Sequence, residues 1–437
     1  MNSSNKRIIL TANILFSGIG CQERGFENSG VFDLKVLNTS EISKESVVAY
    51  AAVHCGLTDE MVNTYNEYPS REEMVKHLEK INLGYIPEKD KKYDWNKLIK
   101  KKTKDLEKYW LACKLSHNLG DISKIEELPY ADFWTCSFPC TDISVAGNVK
   151  GFDPDSGTRS SLLWENVRLL KKAKENNTLP KYIMVENVKN LVGKKFIGNF
   201  NELISVLDNI GFNIYWSVLN GKDCGVPQNR ERVFVIAIRK DIDTGKFDFP
   251  LPFDNGLRAK DVLEDEVDDE YYISKEKVNK FVTRENRGIS NKKGEGTAIL
   301  ESENQIAIGA IRGRNPENPS DRTPGIYTEQ RLEINNHGTS NTLTTVQKDN
   351  VVVENPSGVN IRIRKLTPKE YWILMGFNSE DCDKAANVGI AKSHLYKMAG
   401  NGIITNCVEL IAEHLYKGQY DENYICTDEN FTKPQGA

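Results

Sequence analysis

The pattern of hydrophobic and polar positions divides the first half of the chain into short apolar runs separated by amphipathic segments. The runs that suit β-strands are residues 14–16, 34–37, 133–136, 182–185, 214–219 and 233–238. Apolar residues three or four apart predict helices over 43–54, 162–173 and 200–209. Strands that alternate with helices predict an α/β fold with a doubly wound, mostly parallel, Rossmann-like sheet. Ligands of such sheets bind at the carboxyl ends of the strands.

Two segments interrupt this alternation. Residues 56–118 are predicted to be a helical insertion, and their lysine-dense stretch 89–108 contains Trp95 and is followed by Trp110. A solvated helix face and an auxiliary nucleic-acid contact both remain open for that stretch. Residues 247–360 are rich in Gly, Asn, Pro and Arg, which predicts a smaller irregular domain. We therefore expect a catalytic domain of residues 1–245 and 388–437, and a second domain of residues 246–387.

Composition narrows the class of protein. The 437 residues contain no apolar run near the roughly 20 residues of a membrane span, and the N-terminus is polar, so we expect a cytoplasmic protein. Nine scattered cysteines and six dispersed histidines favour reduced thiols and argue against a zinc site. The net charge of −4 does not decide for or against nucleic-acid binding, because phosphate contacts need only a local basic face.

A candidate cofactor loop lies at residues 14–20, Ile-Leu-Phe-Ser-Gly-Ile-Gly, where a strand runs into two glycines. A simple tight turn would explain the glycines alone, but glycines also let the backbone approach a ligand. The dinucleotide fingerprint needs a third glycine where this chain has Glu23, and a carboxylate is unfavourable beside pyrophosphate. Glu41 is placed to bind ribose hydroxyls, and Asp121 to accept from an adenine amino group. Together these residues predict an adenosyl site.

A candidate nucleophile lies in the motif Phe-Pro-Cys-Thr-Asp-Ile-Ser at residues 138–144, directly after a strand. Pro139 sets a turn that projects Cys140 towards the expected cleft, whereas Cys136 lies inside an apolar run as structural cysteines do. On this motif alone, a catalytic thiol and a structural turn both remain open. The loop 145–160 is rich in Gly, Asp and Ser and is expected to act as a lid.

Two further motifs carry charged groups at strand ends. Glu186 follows apolar residues in Glu-Asn-Val, which favours a carboxyl group with a raised pKa. Residues 228–232, Gln-Asn-Arg-Glu-Arg, lead into a strand, so Gln228, Arg230 and Arg232 alternate onto one side. Salt bridges at an exposed strand start are the alternative explanation for the two arginines.

In this order the motifs resemble those of the C5-cytosine DNA methyltransferase family. Residues 364–377 look like its penultimate motif and residues 396–401 like its last, which makes six motifs in one order. The gap before residue 364 is where this family keeps its target-recognition domain, so residues 246–387 are assigned to that domain. Cys21 stands where a second consecutive glycine is frequent, and Gly402 where serine is usual. The insertion 56–118 is longer than is typical of the family, so its role stays open.

The resemblance implies an enzyme that transfers a methyl group from S-adenosylmethionine to carbon 5 of a cytosine flipped out of duplex DNA, leaving S-adenosylhomocysteine. It implies a Cys140 adduct, with Glu186 and Arg232 as catalytic partners and no metal. The residues implied in cofactor binding are Phe16, Ser17, Gly18, Ile19, Gly20, Glu41, Ile42, Asp121, Ile122, Pro139, Leu162, Asn401 and Gly402. Those implied in DNA binding are Ser144, Gln228, Arg230, Thr342 and Leu343.

Other functions remain to be weighed against this one. The same chemistry on RNA is the nearest alternative, although RNA-acting relatives lack a large recognition region. A catalytically silent DNA-binding regulator would not need Cys140, Glu186 and Arg232 together. Methyltransferases that act on amino groups are disfavoured, because Pro-Cys stands where their Pro-Pro-aromatic turn would be. We expect a monomer of bacterial or phage origin, and one sequence leaves open both the DNA sequence recognised and a separate restriction endonuclease.

Overall fold

The computed structural model describes residues 7–86, 89–139, 162–282, 305–318, 320–321, 323, 325–335, 337–345, 350–355 and 361–426. Cys140, Ser144 and the expected lid at 145–160 lie outside the described residues. Within the described part, every helix is too short or too polar to cross a membrane.

The chain alternates strands and helices in its first half and groups them in its second. The strands are β1 (Ile8–Leu15), β2 (Phe32–Ser40), β3 (Phe133–Cys136), β4 (Tyr182–Val188), β5 (Phe212–Asn220), β6 (Gln228–Asn229), β7 (Glu231–Arg239), β8 (Gln305–Arg314), β9 (Glu329–Asn335), β10 (Ser340–Asn341), β11 (Val351–Asn355) and β12 (Arg362–Lys365). The helices are α1 (Cys21–Ser29), α2 (Lys44–His54), α3 (Asp59–Thr64), α4 (Arg71–Lys80), α5 (Asn96–Ile99), α6 (Asp105–Leu115), α7 (Leu163–Glu175), α8 (Ile197–Ile210), α9 (Lys275–Val282), α10 (Pro368–Ile373), α11 (Ser379–Asn387), α12 (Lys392–Asn401) and α13 (Thr405–Tyr420).

The central sheet has six strands in the order β2-β1-β3-β4-β7-β5, and β7 is antiparallel to both of its neighbours. The other neighbouring strands pair in parallel, so the predicted doubly wound, mostly parallel sheet is confirmed. The strand order reverses at β1, which lies between β2 and β3, and such a reversal is where doubly wound sheets bind ligands. Beyond β2, a single parallel bridge between Thr39 and Asn118 continues the sheet by one position.

The first strand was predicted too late along the chain. It covers Ile8–Leu15 rather than residues 14–16, and Phe16 has already left it with a φ of 56°. Polar residues in the strand concealed it, because Thr11 and Asn13 point into the structure. The Thr11 hydroxyl donates to Asp132 at 2.8 Å, and the Asn13 amide donates to the Pro129 carbonyl at 3.1 Å.

Both faces of the sheet are covered by helices. Along β4, Tyr182 and Met184 belong to one hydrophobic cluster and Ile183 and Val185 to another, as the two-residue repeat of a strand requires. The first cluster contains buried residues of α1 and of α10 to α13, and the second those of α7 and α8. The N-terminal and C-terminal parts of the chain therefore share one core layer.

The segment predicted to be a helical insertion contains α3 to α6. Its apolar side chains form a third cluster with Val47, Val48 and Ala51 of α2. Trp95 is 1% exposed within it, and its indole N–H donates to the Leu83 carbonyl at 3.1 Å. The insertion is therefore packed onto the catalytic domain through α2.

The region predicted to be irregular contains an antiparallel sheet of four strands in the order β12-β11-β8-β9. A small core under it includes Val278, Leu332, Val353 and Ile363. The short apolar run 351–353 indicated β11, whereas the high content of glycine and asparagine concealed the extent of the sheet.

Packing in the second half bears on where the two predicted domains meet. Leu366, Trp372, Phe377 and Ala385 belong to the main hydrophobic cluster of the catalytic domain rather than to the small core under the second sheet. The same cluster also contains Ile308, Leu343 and Val352, so it includes residues of both predicted domains, and the limits of the two domains stay a prediction.

A buried ion pair lies between the second sheet and α10. The guanidinium of Arg364 donates to both carboxylate oxygens of Glu370, at 2.9 and 2.8 Å, and to Glu354 at 2.8 Å. Glu370 also completes a capping box with Thr367 at the start of α10. The charged residues of the penultimate motif thus connect the second sheet to the catalytic core.

Candidate active site

The turn after β1 follows from its glycines. Gly18 and Gly20 have φ values of 54° and 79°, a left-handed conformation that glycine adopts without strain. A Cβ on Gly20 would lie 2.2 Å from Nε2 of His54, so Gly20 is required for packing. A Cβ on Gly18 would meet no atom of the described residues within 4 Å, so at Gly18 the turn faces open space that a ligand could fill.

Glu41 closes one side of this turn at the end of β2. Its carboxylate accepts from the Gly18 N–H at 3.1 Å and from the Ser43 N–H at 2.7 Å. The Asn118 side chain accepts from the Glu41 N–H at 2.9 Å and donates to its carbonyl at 3.0 Å. Burial raises the pKa of the Glu41 carboxyl despite these bonds. A carboxylate has about four lone-pair sites, so capacity remains for a ligand's hydroxyl groups.

Asp121 follows the bridge at Asn118 and begins the short 3-10 helix Ile122–Lys124. One carboxylate oxygen accepts from the backbone N–H and the hydroxyl of Ser123, at 3.0 and 2.9 Å. The other accepts from Nδ2 of Asn82 at 2.7 Å. The loop containing Asp121 is joined to β2 by a bond from the Ser40 hydroxyl to the Gly120 carbonyl, at 2.7 Å.

The remaining predicted cofactor residues differ in exposure. Ile19 and Ile122 are each 2% exposed, in the cores on opposite faces of the sheet. Those that are half-buried are Phe16, Ile42, Pro139, Leu162 and Gly402, whereas Ser17 is buried and Asn401 is exposed. The C-terminal motif does reach the cofactor turn, because the Cβ position of Gly402 is 3.0 Å from Sγ of Cys21, the residue after Gly20.

A buried polar network beneath the turn was missed by the sequence analysis. Nε2 of His54 is 3.1 Å from the Ile19 carbonyl, and its Nδ1 is 3.8 Å from Glu23 and 3.9 Å from Glu27. The Tyr50 hydroxyl donates to Glu23. Burial alone would lower the pKa of His54, but the two carboxylates outweigh it and raise that pKa. His54 thus supports the predicted cofactor turn from beneath, and Glu23, noted only as a missing glycine, is one of its partners.

The structure brings Glu186 and Arg232 together at the carboxyl end of β4. Nε of Arg232 is 3.1 Å from a carboxylate oxygen of Glu186, which is 8% exposed. The two residues lie on neighbouring antiparallel strands, with Arg232 opposite Val188. Burial raises the pKa of the Glu186 carboxyl more than Arg232 and Arg230 lower it. A raised pKa favours the protonated form of this carboxyl group, which can act as a hydrogen-bond donor.

Glu186 and its neighbour also contact the segment that leads to Cys140. The Glu186 N–H donates to the Ser137 hydroxyl at 3.3 Å, and the Asn187 side chain donates to the Phe138 carbonyl at 3.0 Å. The chain two residues before Cys140 is thus attached to the end of β4.

Gln228 joins three parts of the chain. Its amide donates to the Leu374 carbonyl at 2.7 Å and accepts from the Leu343 N–H at 3.0 Å. Next to it, β6 pairs in parallel with β10 of the second domain, and the Thr342 hydroxyl donates to the Asn229 carbonyl at 2.7 Å.

Arg230 likewise connects segments that are far apart in the chain. Its guanidinium donates to the carbonyls of Leu343, Gly400 and Gly402, at 2.8, 3.1 and 2.7 Å. Gln228, Arg230 and Leu343, three of the five residues predicted to bind DNA, are at most 2% exposed and are packed within the protein. Their burial favours a role in positioning the second domain against the catalytic domain.

Comparison with known proteins identifies the family of this chain. The family model of the C-5 cytosine-specific DNA methylase matches residues 95–417. The chain belongs to this family. The predicted family is confirmed, and so is the prediction of an enzyme that methylates cytosine in DNA.

Individual relatives agree with this assignment. The type II methyltransferase M2.ScrFI of Lactococcus lactis subsp. cremoris is 32% identical over 412 residues, which are 92% of this chain and 98% of that protein. The orphan methyltransferase M.SPBetaI of Bacillus phage SPbeta is 27% identical and covers 92% of this chain and 96% of its own. The solved methyltransferase EhMeth of Entamoeba histolytica shares the fold, with a TM-score of 0.52 at 15% identity over 94% of this chain and 98% of its own.

Proposed function

We propose that this methyltransferase transfers a methyl group from S-adenosylmethionine to carbon 5 of cytosine within a short, specific sequence of duplex DNA. The proposed route passes through a covalent bond between Cys140 and a base that has left the duplex. The observation that carries the proposal is the buried pair of Glu186 and Arg232, 3.1 Å apart, beside the segment that leads to Cys140.

The residues around the turn after β1 fit an adenosyl cofactor. Gly18 faces open space, Glu41 can accept from ribose hydroxyls, and Asp121 can accept from an amino group. Helix α1 begins directly after the turn without a third glycine, as suits a ligand that has no pyrophosphate. S-adenosylmethionine would supply a methyl group activated by its sulfonium centre.

Cys140 lies outside the described residues, and its role rests on the chain that leads to it. The Phe138 carbonyl is bonded to Asn187, next to Glu186. Two further residues extend the backbone by at most about 7 Å. This length of chain is compatible with the proposal, which requires the Cys140 thiol to reach a base that also contacts Glu186.

The chemistry follows from the weak nucleophilicity of cytosine carbon 5. Cys140 as a thiolate adds to carbon 6, and the electron pair displaced by the new bond moves towards carbon 5. Protonated Glu186 donates at N3, and Arg232 binds the oxygen on carbon 2 as negative charge develops there. After methyl transfer, removal of the proton on carbon 5 restores the ring double bond, and the bond to Cys140 breaks to return the thiolate.

This geometry requires the base to leave the duplex, because the thiol and the cofactor must approach it from outside the stack. The second domain, whose sheet carries Arg312 on β8 and Arg331 on β9, is proposed to contact the DNA. A type II and an orphan enzyme both occur among the relatives, so a partner endonuclease is left unassigned.

The proposal is tested with duplex DNA in which 5-fluorocytosine replaces cytosine, incubated with S-adenosylmethionine. Fluorine cannot leave as the proton does, so the wild-type enzyme should remain covalently attached to the DNA. Cys140→Ser should abolish the attachment, whereas the control Cys55→Ser, at a cysteine with a pKa raised to about 12, should retain it. Near-normal methylation by Cys140→Ser would refute the covalent route, and attachment to RNA instead of DNA would favour the RNA alternative.

A further inference from the structure

The insertion contributes to the wall of the proposed cofactor site. Helix α4 ends at Lys80, and Asn82 follows in a left-handed conformation with a φ of 55°. The Leu83 N–H donates back to the Leu78 carbonyl at 3.0 Å, which completes a Schellman motif with asparagine at the residue that needs the positive φ. This helix end places the Asn82 side chain, 9% exposed, against Asp121.

Residues 81–84 contact both loops that the cofactor would touch. The Ile81 carbonyl accepts from the Asp121 N–H at 2.9 Å, and the Gly84 N–H donates to the Ile42 carbonyl at 2.7 Å. A Cβ on Gly120 would lie 1.9 Å from the Ile81 oxygen, so the two backbones are in direct contact there. The insertion is therefore attached to the loop containing Asp121 and to the loop after β2.

We propose that Asn82 is a positioning residue for the adenine end of the cofactor, acting through Asp121. Its amide donates to one carboxylate oxygen at 2.7 Å while Ser123 donates to the other, which fixes the plane of the Asp121 carboxylate. The Asn82 amide also occupies one of the lone pairs of the Asp121 carboxylate. The lone pairs that remain can therefore accept a ligand's N–H only from the side that faces away from Asn82 and Ser123. An exocyclic amino group offers such a donor, whereas an oxo group at the same ring position does not.

This inference rests on the proposed function, because it assigns Asp121 to an adenosyl group. It also gives the insertion a role in cofactor affinity, a different role from the auxiliary DNA contact considered for its lysine-dense stretch. Substitution of Asn82 should therefore change the affinity for the cofactor even in the absence of DNA.

The test is calorimetric binding of S-adenosylhomocysteine and of its inosine counterpart, S-inosylhomocysteine, to the full chain without DNA. Asn82→Asp keeps the size and tolerance for positive φ, but it replaces the N–H donor with a carboxylate that repels Asp121. We expect about tenfold or more weaker binding of the adenosyl compound, the range for loss of a hydrogen bond to a charged group. The ratio of the dissociation constants of the inosyl and adenosyl compounds, which measures the preference for adenine, should lose most of its wild-type value.

The matched control is Asn177→Asp. Asn177 ends α7 in the same motif, with a φ of 56° and a Thr178 N–H that donates to the Ala173 carbonyl at 2.8 Å. Asn177 is exposed and precedes the amino end of β4, whereas the proposed site lies at the carboxyl ends of the strands. Asn177→Asp should bind both compounds like the wild type.

If Asn82→Asp lowers the melting temperature more than the control does, Asn82→Gly replaces it, since glycine retains the backbone conformation and lacks the amide. Unchanged affinity and unchanged adenosyl preference in a folded Asn82 variant would overturn the inference. Failure of the wild-type chain to bind S-adenosylhomocysteine would instead overturn the proposed cofactor, which keeps the two failures distinguishable.

Discussion

Cys21 and Gly402 are the two motif positions noted above as departures from the residues usual in the resembled motifs, and the structure places them in contact. A Cβ on Gly402 would lie 3.0 Å from Sγ of Cys21 and 3.3 Å from the Ala399 carbonyl oxygen. The backbone at Gly402 has φ −74° and ψ 176°, which serine adopts without strain. We therefore predict that Gly402→Ser is destabilising because of the sulfur atom and not because of the backbone.

The magnitudes follow from this contact. Adding a side chain to a packed site costs about 1–3 kcal/mol, which is the expected effect of Gly402→Ser. Cys21→Ala removes the sulfur and its contact with the Ile403 N–H at 3.3 Å, and should cost about 1–2 kcal/mol. In the double variant the serine occupies the space that the sulfur leaves. The loss should be smaller than the sum by about 1–2 kcal/mol, within the range for residues in contact.

The assay is thermal unfolding of the four proteins of this cycle, measured with and without S-adenosylhomocysteine. Gly400→Ser provides an uncoupled comparison, because the Cβ position of Gly400 is 2.6 Å from the Thr344 backbone and Cys21 is absent from its nearest neighbours. Its effect should add to that of Cys21→Ala. Additive effects of Cys21→Ala and Gly402→Ser would refute the explanation that the two departures compensate each other.

Three further predictions concern the site. Glu186→Gln should lower kcat by about 100-fold or more. Since the pKa of Glu186 is raised, wild-type activity should be present below that pKa and should fall as the pH rises through it. The pH–rate profile of the variant should lack this fall. Arg230→Met should destabilise the protein by about 3–5 kcal/mol in thermal or denaturant unfolding, because three carbonyls lose their donor; an unchanged melting temperature would contradict this. Gly120→Ala, with a Cβ position 1.9 Å from the Ile81 oxygen, should abolish binding of S-adenosylhomocysteine in calorimetry. Gly18→Ala should cost about 1–2 kcal/mol of stability through its positive φ, and it should also weaken that binding because its Cβ enters the space proposed for the cofactor.

The parts of this structure that could be predicted are those with a local signal. Buried strands such as β4 are continuous apolar runs, and their order with the helices gave the doubly wound sheet. The same topology placed the motifs at one edge of the sheet, where Glu186 and Arg232 are indeed neighbours. The proposed cofactor role of Glu41 was inferred from its distance along the sequence from the glycine turn.

The rest depends on contacts between residues far apart in the chain. His54 and Asn82 are ordinary polar residues near helix ends, and their importance arises from partners at Ile19 and Asp121. Arg230 was assigned to DNA binding by the family resemblance, but its guanidinium donates to three carbonyls from distant segments. Such partners can be identified only when the fold brings the segments together.

The most direct test of the central claim is transfer of labelled methyl from S-adenosylmethionine to mixed-sequence duplex DNA, with the product mapped at base resolution. The proposed function predicts label on carbon 5 of cytosine within one short recurring sequence, and no transfer by Cys140→Ser. Label on RNA alone, or tight DNA binding by the wild-type protein without any transfer, would contradict it.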